Sequence, residues 1–403
     1  MKNIRFFLFL FLFLASPYCH AQKTALQWST YFGGDTATYG GGISTDAYGN
    51  VYISGQTYRD SGIATKGAYQ TWGDSTNGTA FLAKFSSSGS LLWATYFGDS
   101  DEAEEVNVDK FGNIYITGYT NSKTGIATSG AFQTSLKGSG NAFLAKFSTY
   151  GSLMWATYFG GNKDDGTYGI GTDSFGNILI CGWTYSDSGI ATKGAYQATY
   201  GGGGDAFLAK LNPSGSLLWA TYLGGNKEDV GWWISIDSVN DIYVSGNTQS
   251  VSGIATKGAY QTMCDSINSS AFLAKFSSLG NLLWATCFGK KTDPDISAAT
   301  DIFNNIYIAG GTTSATDIAT SSAYKSSFDG GNGYGEVFLA KFNSSGTLFW
   351  ATYYGGGAGD DGDGLVATDK YGNVFLAGST NGTSDIATSG AYQTSNGGDM
   401  MLF

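Results

Sequence analysis

The chain has 403 residues, and its 21 Lys and Arg against 32 Asp and Glu give a net charge of −11. Arg5 and Arg59 are its only arginines and no basic cluster exists to neutralise phosphates, which argues against nucleic acid and against an anionic membrane surface as partners. His20 is the single histidine and lies in a segment expected to be removed, so Ser-His-Asp and Cys-His catalysis and His-ligated zinc or iron sites are excluded from the mature chain.

In chain order, residues 1–21 read first as a secretory signal. Lys2 and Arg5 precede the apolar run "FFLFLFLFLA", and Cys19-His20-Ala21 places small residues for cleavage before Gln22. Tyr18 stands where a lipoprotein signal wants a small residue, so simple cleavage is the preferred reading. Loss of Lys2 and Arg5 takes the net charge from −11 to −13 in residues 22–403. No later stretch approaches the roughly 18 apolar residues of a membrane span, so the expected location is outside the cell or on its surface.

Length alone suggests two or three domains, but an internal repeat overrides it. Tryptophan recurs in one context, from "LQWSTYFG" at Trp28 through Trp93, Trp155, Trp219 and Trp284 to "LFWATYYG" at Trp350, at spacings of 65, 62, 64, 65 and 66 residues. Each period holds four short runs of β-branched and aromatic residues between Gly, Ser, Asn and Asp, the signature of strands and turns. In the first unit these are A around Gly42 to Asp46, B at Asn50 to Gly55, C at Ala80 to Phe85 and D at Leu91 to Phe97. The A-B and C-D connectors "DAYGN" and "SSSG" suit antiparallel hairpins.

Four antiparallel strands repeated six times, with only three prolines and little helical periodicity, predict an all-β fold of β-propeller type. The motifs "DAYGNVYISG" and "FLAKFSSSGSLLWATYFG" and their copies resemble the SBBP β-propeller repeat family, which implies a propeller and an exported protein and says little about chemistry. The first D-type segment precedes every A, whereas the last unit stops at a C-like "DMMLF" over 399–403. Residues 22–403 are therefore expected to form a single six-bladed propeller of four-stranded blades, closed by the N-terminal strand completing the last blade; a truncated larger propeller is the alternative.

Alternating strand direction places the B-C and D-A connections together on one face, the natural place for recognition. The B-C connection carries "SGIATKGAYQT" at Ser61 to Thr71, with "SGIATKGAYQ" identical at Ser188 to Gln197 and Ser252 to Gln261. An Ile and an aromatic residue at fixed spacing in every copy favour a strap packed on the blade over a repeated ligand subsite. Ligand-binding candidates are instead Trp72, Trp232, Trp233 and Tyr334, assigned to the variable segments of that face. Asp360, Asp361 and Asp363 in "GDDGDG" are candidate calcium ligands without the spacing of a full calcium loop, and Asp164, Asp165 and the cluster Asp99 to Glu105 read as solvated acidic loops. No other cofactor is expected. Lys84 and its copies and Asp46 and its copies predict buried Lys-Asp contacts near the short turns. Cys264 and Cys287 fall on neighbouring segments of one unit and form the candidate disulfide, with Cys181 a buried apolar residue.

These features point to an exported, non-enzymatic binding or scaffold protein whose partner is a glycan or a protein. A carboxylate-based polysaccharide-acting enzyme and a fragment of a larger adhesin are the alternatives.

Overall fold

Every regular element among the described residues is a β-strand. The computed structural model describes residues 26–99, 101–265, 267–330, 335–356, 364–382, 386–391, 393–395 and 401–402. Five sheets of four antiparallel strands follow one another in A-B-C-D order. The first contains β1 (Thr38–Thr45), β2 (Val51–Thr57), β3 (Thr79–Phe85) and β4 (Leu91–Phe97); the second β5 (Asp101–Val108), β6 (Ile114–Thr120), β7 (Asn141–Phe147) and β8 (Leu153–Phe159). The third contains β9 (Asp165–Thr172), β10 (Ile178–Thr184), β11 (Asp205–Leu211) and β12 (Leu217–Leu223); the fourth β13 (Asp229–Ile236), β14 (Ile242–Thr248), β15 (Ser270–Phe276) and β16 (Leu282–Phe288). The fifth contains β17 (Ser297–Thr300), β18 (Ile306–Thr312), β19 (Glu336–Phe342) and β20 (Leu348–Tyr354).

The sixth unit differs from expectation. Its described strands form two separate pairs, β21 (Leu365–Thr368) with β22 (Val374–Ala377) and β23 (Ser379–Thr380) with β24 (Met401–Leu402), in place of one four-stranded blade. The N-terminal segment "LQWSTYF" also departs from expectation, because residues 26–32 pair with no strand among the described residues. Its side chains nevertheless reproduce what each D strand does to the following sheet. Phe32 lies 5.3 Å from Phe81 and 5.6 Å from Phe85, as Phe97 lies 5.3 Å from Phe143 and 5.8 Å from Phe147. Trp28 Nε1 donates to Ser87 O at 3.0 Å, as Trp93 Nε1 donates to Thr149 O at 3.1 Å. The segment thus holds the place of a preceding D strand through ring packing and one indole bond, without a backbone ladder.

The core lies between sheets. Successive clusters of buried residues join the N-terminal segment to the first sheet and then each sheet to the next. The C strands β3, β7, β11 and β15 are buried along their whole length, which suits their apolar runs. The A strands contact one another from sheet to sheet and form the inner column, while the D strands are outermost and bear half-exposed Leu92, Met154, Leu218 and Leu283.

The "IAT" straps close those outer edges. Ile63, Ile126, Ile190, Ile254 and Ile318 are buried, and the following Thr donates its N–H to an Ala carbonyl of the D strand, from Thr65 to Ala94 at 2.9 Å through Thr320 to Ala351 at 2.9 Å. The threonine hydroxyl accepts in return from the same Ala N–H, at 3.1 Å for Ala94. An edge strand that would offer unpaired groups to another chain is thereby partly occupied from within.

Cys264 in the fourth B-C connection and Cys287 on β16 are joined as a disulfide, with Cα atoms 5.5 Å apart across a sequence separation of 23. Replacing both by Ala is expected to cost about 3 kcal/mol of unfolding free energy through the lost loop constraint. Urea titration of wild type and variant checks this; coincident midpoints would show that the crosslink contributes nothing. Cys181 on β10 is the free thiol among the described residues and is fully buried, which holds its ionisation well above the ordinary range.

Candidate functional site on the inner strands

Each of the first four A strands carries a bulge at the same place. The register slips between Gly40 and Ile43 on β1, between Ala103 and Glu105 on β5, opposite Cys181 and Gly182 on β9, and between Gly231 and Trp233 on β13. On β1, Gly41 and Gly42 stand against the single residue Ser54; on the next three the extra residues are Glu104, Tyr168 and Trp232. A bulge twists the strand and re-aims one side chain, and here it does so on adjacent inner strands.

Two of the re-aimed side chains meet. The Tyr168 and Trp232 rings stack with centroids 3.9 Å apart and planes 16° apart, and Trp232 Nε1 donates to Asn247 Oδ1 at 2.6 Å. Trp183, whose indole acts on the Tyr168 hydroxyl, stacks on Tyr119 at 6.1 Å. Glycine is required on the neighbouring strand. A Cβ at Gly41 would lie 2.3 Å from Ala103 O, and one at Gly42 would lie 2.4 Å from Glu105 Oε1.

The electrostatics are one-sided. Burial, reinforced by Glu102 and Asp295, pushes the Glu104 carboxyl up to about 7. Burial pushes Glu105 up to about 8, with Glu104 adding to it, despite a hydrogen bond donated by Val106 N at 3.1 Å. Burial and the charge of Glu104 raise Tyr168 to about 12. Asp295, in the connection to the fifth sheet, acts on both Glu104 and Tyr168. None of the inner strands β1, β5, β9, β13, β17 and β21 contains a lysine or arginine. The site therefore offers two stacked aromatic rings beside carboxyls that favour their neutral, hydrogen-donating form.

This arrangement corrects the placement of Trp232 and Trp233. Both lie on β13, because the strand begins at Asp229 and continues through the bulge. Trp232 enters the stack, whereas Trp233 pairs with Ser245 and packs against the core shared with the fifth sheet. Trp72 is exposed in the first B-C connection, away from the inner strands, and its carbonyl accepts from Gln70 Nε2 at 2.9 Å. Tyr334, Asp360, Asp361 and Asp363 lie outside the described residues.

The other acidic candidates separate into two kinds. Asp101 and Asp165 are not solvated loop residues but, like Asp229, open inner strands as buried anchors: Asp165 Oδ2 accepts from Gly161 N at 2.7 Å and Ser186 Oγ at 3.0 Å, and its other oxygen accepts from Thr184. Glu102, Glu104 and Glu105 belong to β5. Among the described residues no three His, Cys, Asp or Glu side chains are grouped to hold a metal ion. A separate groove of about 390 Å³ lies on the outer perimeter, between the strap residues Thr256 to Tyr260 and the turn Ser345 to Leu348.

The model of the SBBP β-propeller repeat matches residues 27–60, 92–125 and 155–189, each span running from a D-type segment through the next A and B strands. An uncharacterised WD repeat-containing protein of Acanthamoeba polyphaga mimivirus is 23% identical over 60% of this chain, and this chain spans 22% of that relative's length. Among solved structures, a protein of unknown function from Dyadobacter fermentans is similar over 92% of this chain and 95% of its own, with 11% identity and a TM-score of 0.46. The NanB sialidase of Streptococcus pneumoniae is similar over 88% of this chain and 67% of its own, with 9% identity and a TM-score of 0.48.

Proposed function

We propose that this β-propeller, built of SBBP repeats, is an exported non-enzymatic binding protein that takes a glycan on its bulged inner strands. The reading rests on Glu104, Tyr168 and Trp232, each placed by the same bulge: the two rings stack at 3.9 Å, and the Glu104 charge acts on Tyr168. Aromatic faces meet the C–H faces of sugar rings, and the carboxyls beside them exchange hydrogen bonds with hydroxyls. The apolar run after Lys2 and Arg5 supports export.

A second reading is kept because Glu104 and Glu105 are raised to about 7 and 8. A carboxyl that stays protonated near neutral pH can act as a general acid on a glycosidic oxygen if an ionised carboxylate such as Asp295 lies across the substrate.

A glycan microarray with the mature chain identifies ligands, and titration calorimetry then compares Trp232→Ala, Tyr168→Ala and Trp72→Ala. Loss of at least about tenfold in affinity is expected for the first two, corresponding to about 1.4 kcal/mol, with Trp72→Ala near wild type. Wild-type affinity in both inner-strand variants would sink the assignment. Release of reducing ends from the bound glycan, abolished by Glu104→Gln, would replace binding by the enzymatic reading.

A further inference from the structure

We propose that Asp205 and Asp229 share one proton, forming a pH-sensitive latch between the third and fourth sheets. The repeat supplies an internal comparison one unit earlier. There Asn141 opens β7 and Asp165 opens β9, and Asn141 Nδ2 donates to Asp165 Oδ2 at 3.1 Å. Asn141 Oδ1 meanwhile accepts from Gln133 Nε2 at 2.9 Å and Lys137 N at 2.9 Å.

At the next seam the equivalent residues are Asp205, opening β11, and Asp229, opening β13. Asp205 Oδ2 makes the bonds that Asn141 Oδ1 makes, accepting from Gln197 Nε2 at 2.9 Å and Gly201 N at 2.9 Å. Asp229 Oδ2 repeats Asp165, accepting from Gly225 N at 2.7 Å and Ser250 Oγ at 2.9 Å. Asp205 Oδ1 thus stands where the Asn141 amide nitrogen stands, but an ionised carboxylate has nothing to donate. It is buried and has no hydrogen-bond partner. A Cβ built on Gly224 would meet Asp229 Oδ2 at 2.8 Å and Asp205 Oδ1 at 2.9 Å, as one on Gly160 would meet Asp165 Oδ2 and Asn141 Nδ2 at 2.5 Å each. The two seams have the same geometry, and only the donor is missing.

Two facing, fully buried carboxylates cannot both ionise cheaply, and a proton on one restores the missing donor. Burial pushes both carboxyls up to about 6, and Asp205 adds to the rise of Asp229. The titratable neighbours do not neutralise the pair. Tyr200 and Tyr222 face Asp205, Asp165 and Asp187 act on Tyr222, and Lys163 acts on Tyr200. Lys227 passes its backbone over Gly203, and the Glu228 carboxylate accepts from Gln249 Nε2. Because the folded values lie above the ordinary carboxylate value, the stabilisation is fully present below that ordinary value. It is lost as pH rises through about 6.

Two opposite substitutions test the latch by thermal unfolding between pH 5 and pH 8. Asp205→Asn copies the Asn141 seam and is expected to raise Tm by about 2–4 °C at pH 8, with the gain shrinking by at least half at pH 5. Asn141→Asp is expected to install a second pair, lowering Tm by a similar amount at pH 8 and less at pH 5. A gain or loss that is the same at both pH values would overturn the proposal. The same result follows if 1 mM CaCl₂ raises the wild-type Tm at pH 8 but not that of Asp205→Asn, because the gap would then hold a cation and not a proton.

Discussion

Asp173→Ala is expected to lower the unfolding free energy by about 3–5 kcal/mol, read from urea or guanidinium titration. Asp173 Oδ1 accepts the backbone N–H groups of Phe175 and Asn177 at 2.9 Å each, which fixes the β9-β10 turn. Its Oδ2 accepts from Asn177 Nδ2 at 2.7 Å and pairs with Lys210 Nζ at 2.9 Å. Both side chains are buried, so deletion leaves a lysine charge in the interior with its principal partner gone. Lys210 then retains Ser278 O at 3.1 Å, in the C-D turn of the next sheet, where Trp219 Nε1 also donates at 3.4 Å. One carboxylate therefore organises a turn within its sheet and a lysine that grips the neighbouring sheet.

Asp173→Asn separates these roles. The amide oxygen can still cap the turn while the ion pair is lost, so its cost should fall between zero and that of Asp173→Ala. Burial raises the Asp173 carboxyl, but the hydrogen bonds from Asn177 and Lys210 outweigh it and hold the group below its ordinary value. Its stabilisation is accordingly present above the ordinary carboxylate value and lost as pH falls through the lower folded value. Equal stability of wild type and Asp173→Ala at neutral pH would show that the pair is only tolerated.

What the sequence made legible was whatever repeats under packing constraint. The D strand at Leu91 to Phe97 begins and ends where its apolar run does, and each C-strand lysine lies opposite a D-strand tryptophan, from Lys84 and Trp93 to Lys341 and Trp350. The first halves of the inner strands were not legible, for a physical reason. The bulge breaks the two-residue period by which a strand is recognised, so that only the run after it, as from Gly42 on β1, read as strand. Glycines on β1, glutamates on β5 and tryptophans on β13 therefore read as loop. Variation at one repeat position was the available signal: Gly41, Glu104, Tyr168 and Trp232 share a place in the unit yet run from glycine through a carboxyl to aromatic rings. A second such signal is a paired exchange. Gln133 and Asn141 bond in the second sheet, whereas Lys325 and Glu336 replace them as an ion pair in the fifth.

Ile190→Ala is expected to cost about 2–5 kcal/mol, and to do so at a loop position. Ile190 is buried within the core between the second and third sheets, although it belongs to a connection and not to a strand. It anchors the strap whose Thr192 N donates to Ala220 O at 2.9 Å and whose Thr192 Oγ1 accepts from Ala220 N at 3.1 Å, on the exposed edge of β12. Thr192→Val deletes the hydroxyl and keeps the backbone bond, so about 1 kcal/mol is expected from it. The pair of variants distinguishes a clamp from a ligand subsite. A clamp loses stability in the order Ile190→Ala over Thr192→Val, with β12 amides exchanging faster in hydrogen-exchange mass spectrometry and with greater self-association as the edge is uncovered. A subsite would instead leave stability and exchange unchanged while altering binding, and that outcome would return "SGIATKGAYQ" to the list of ligand contacts.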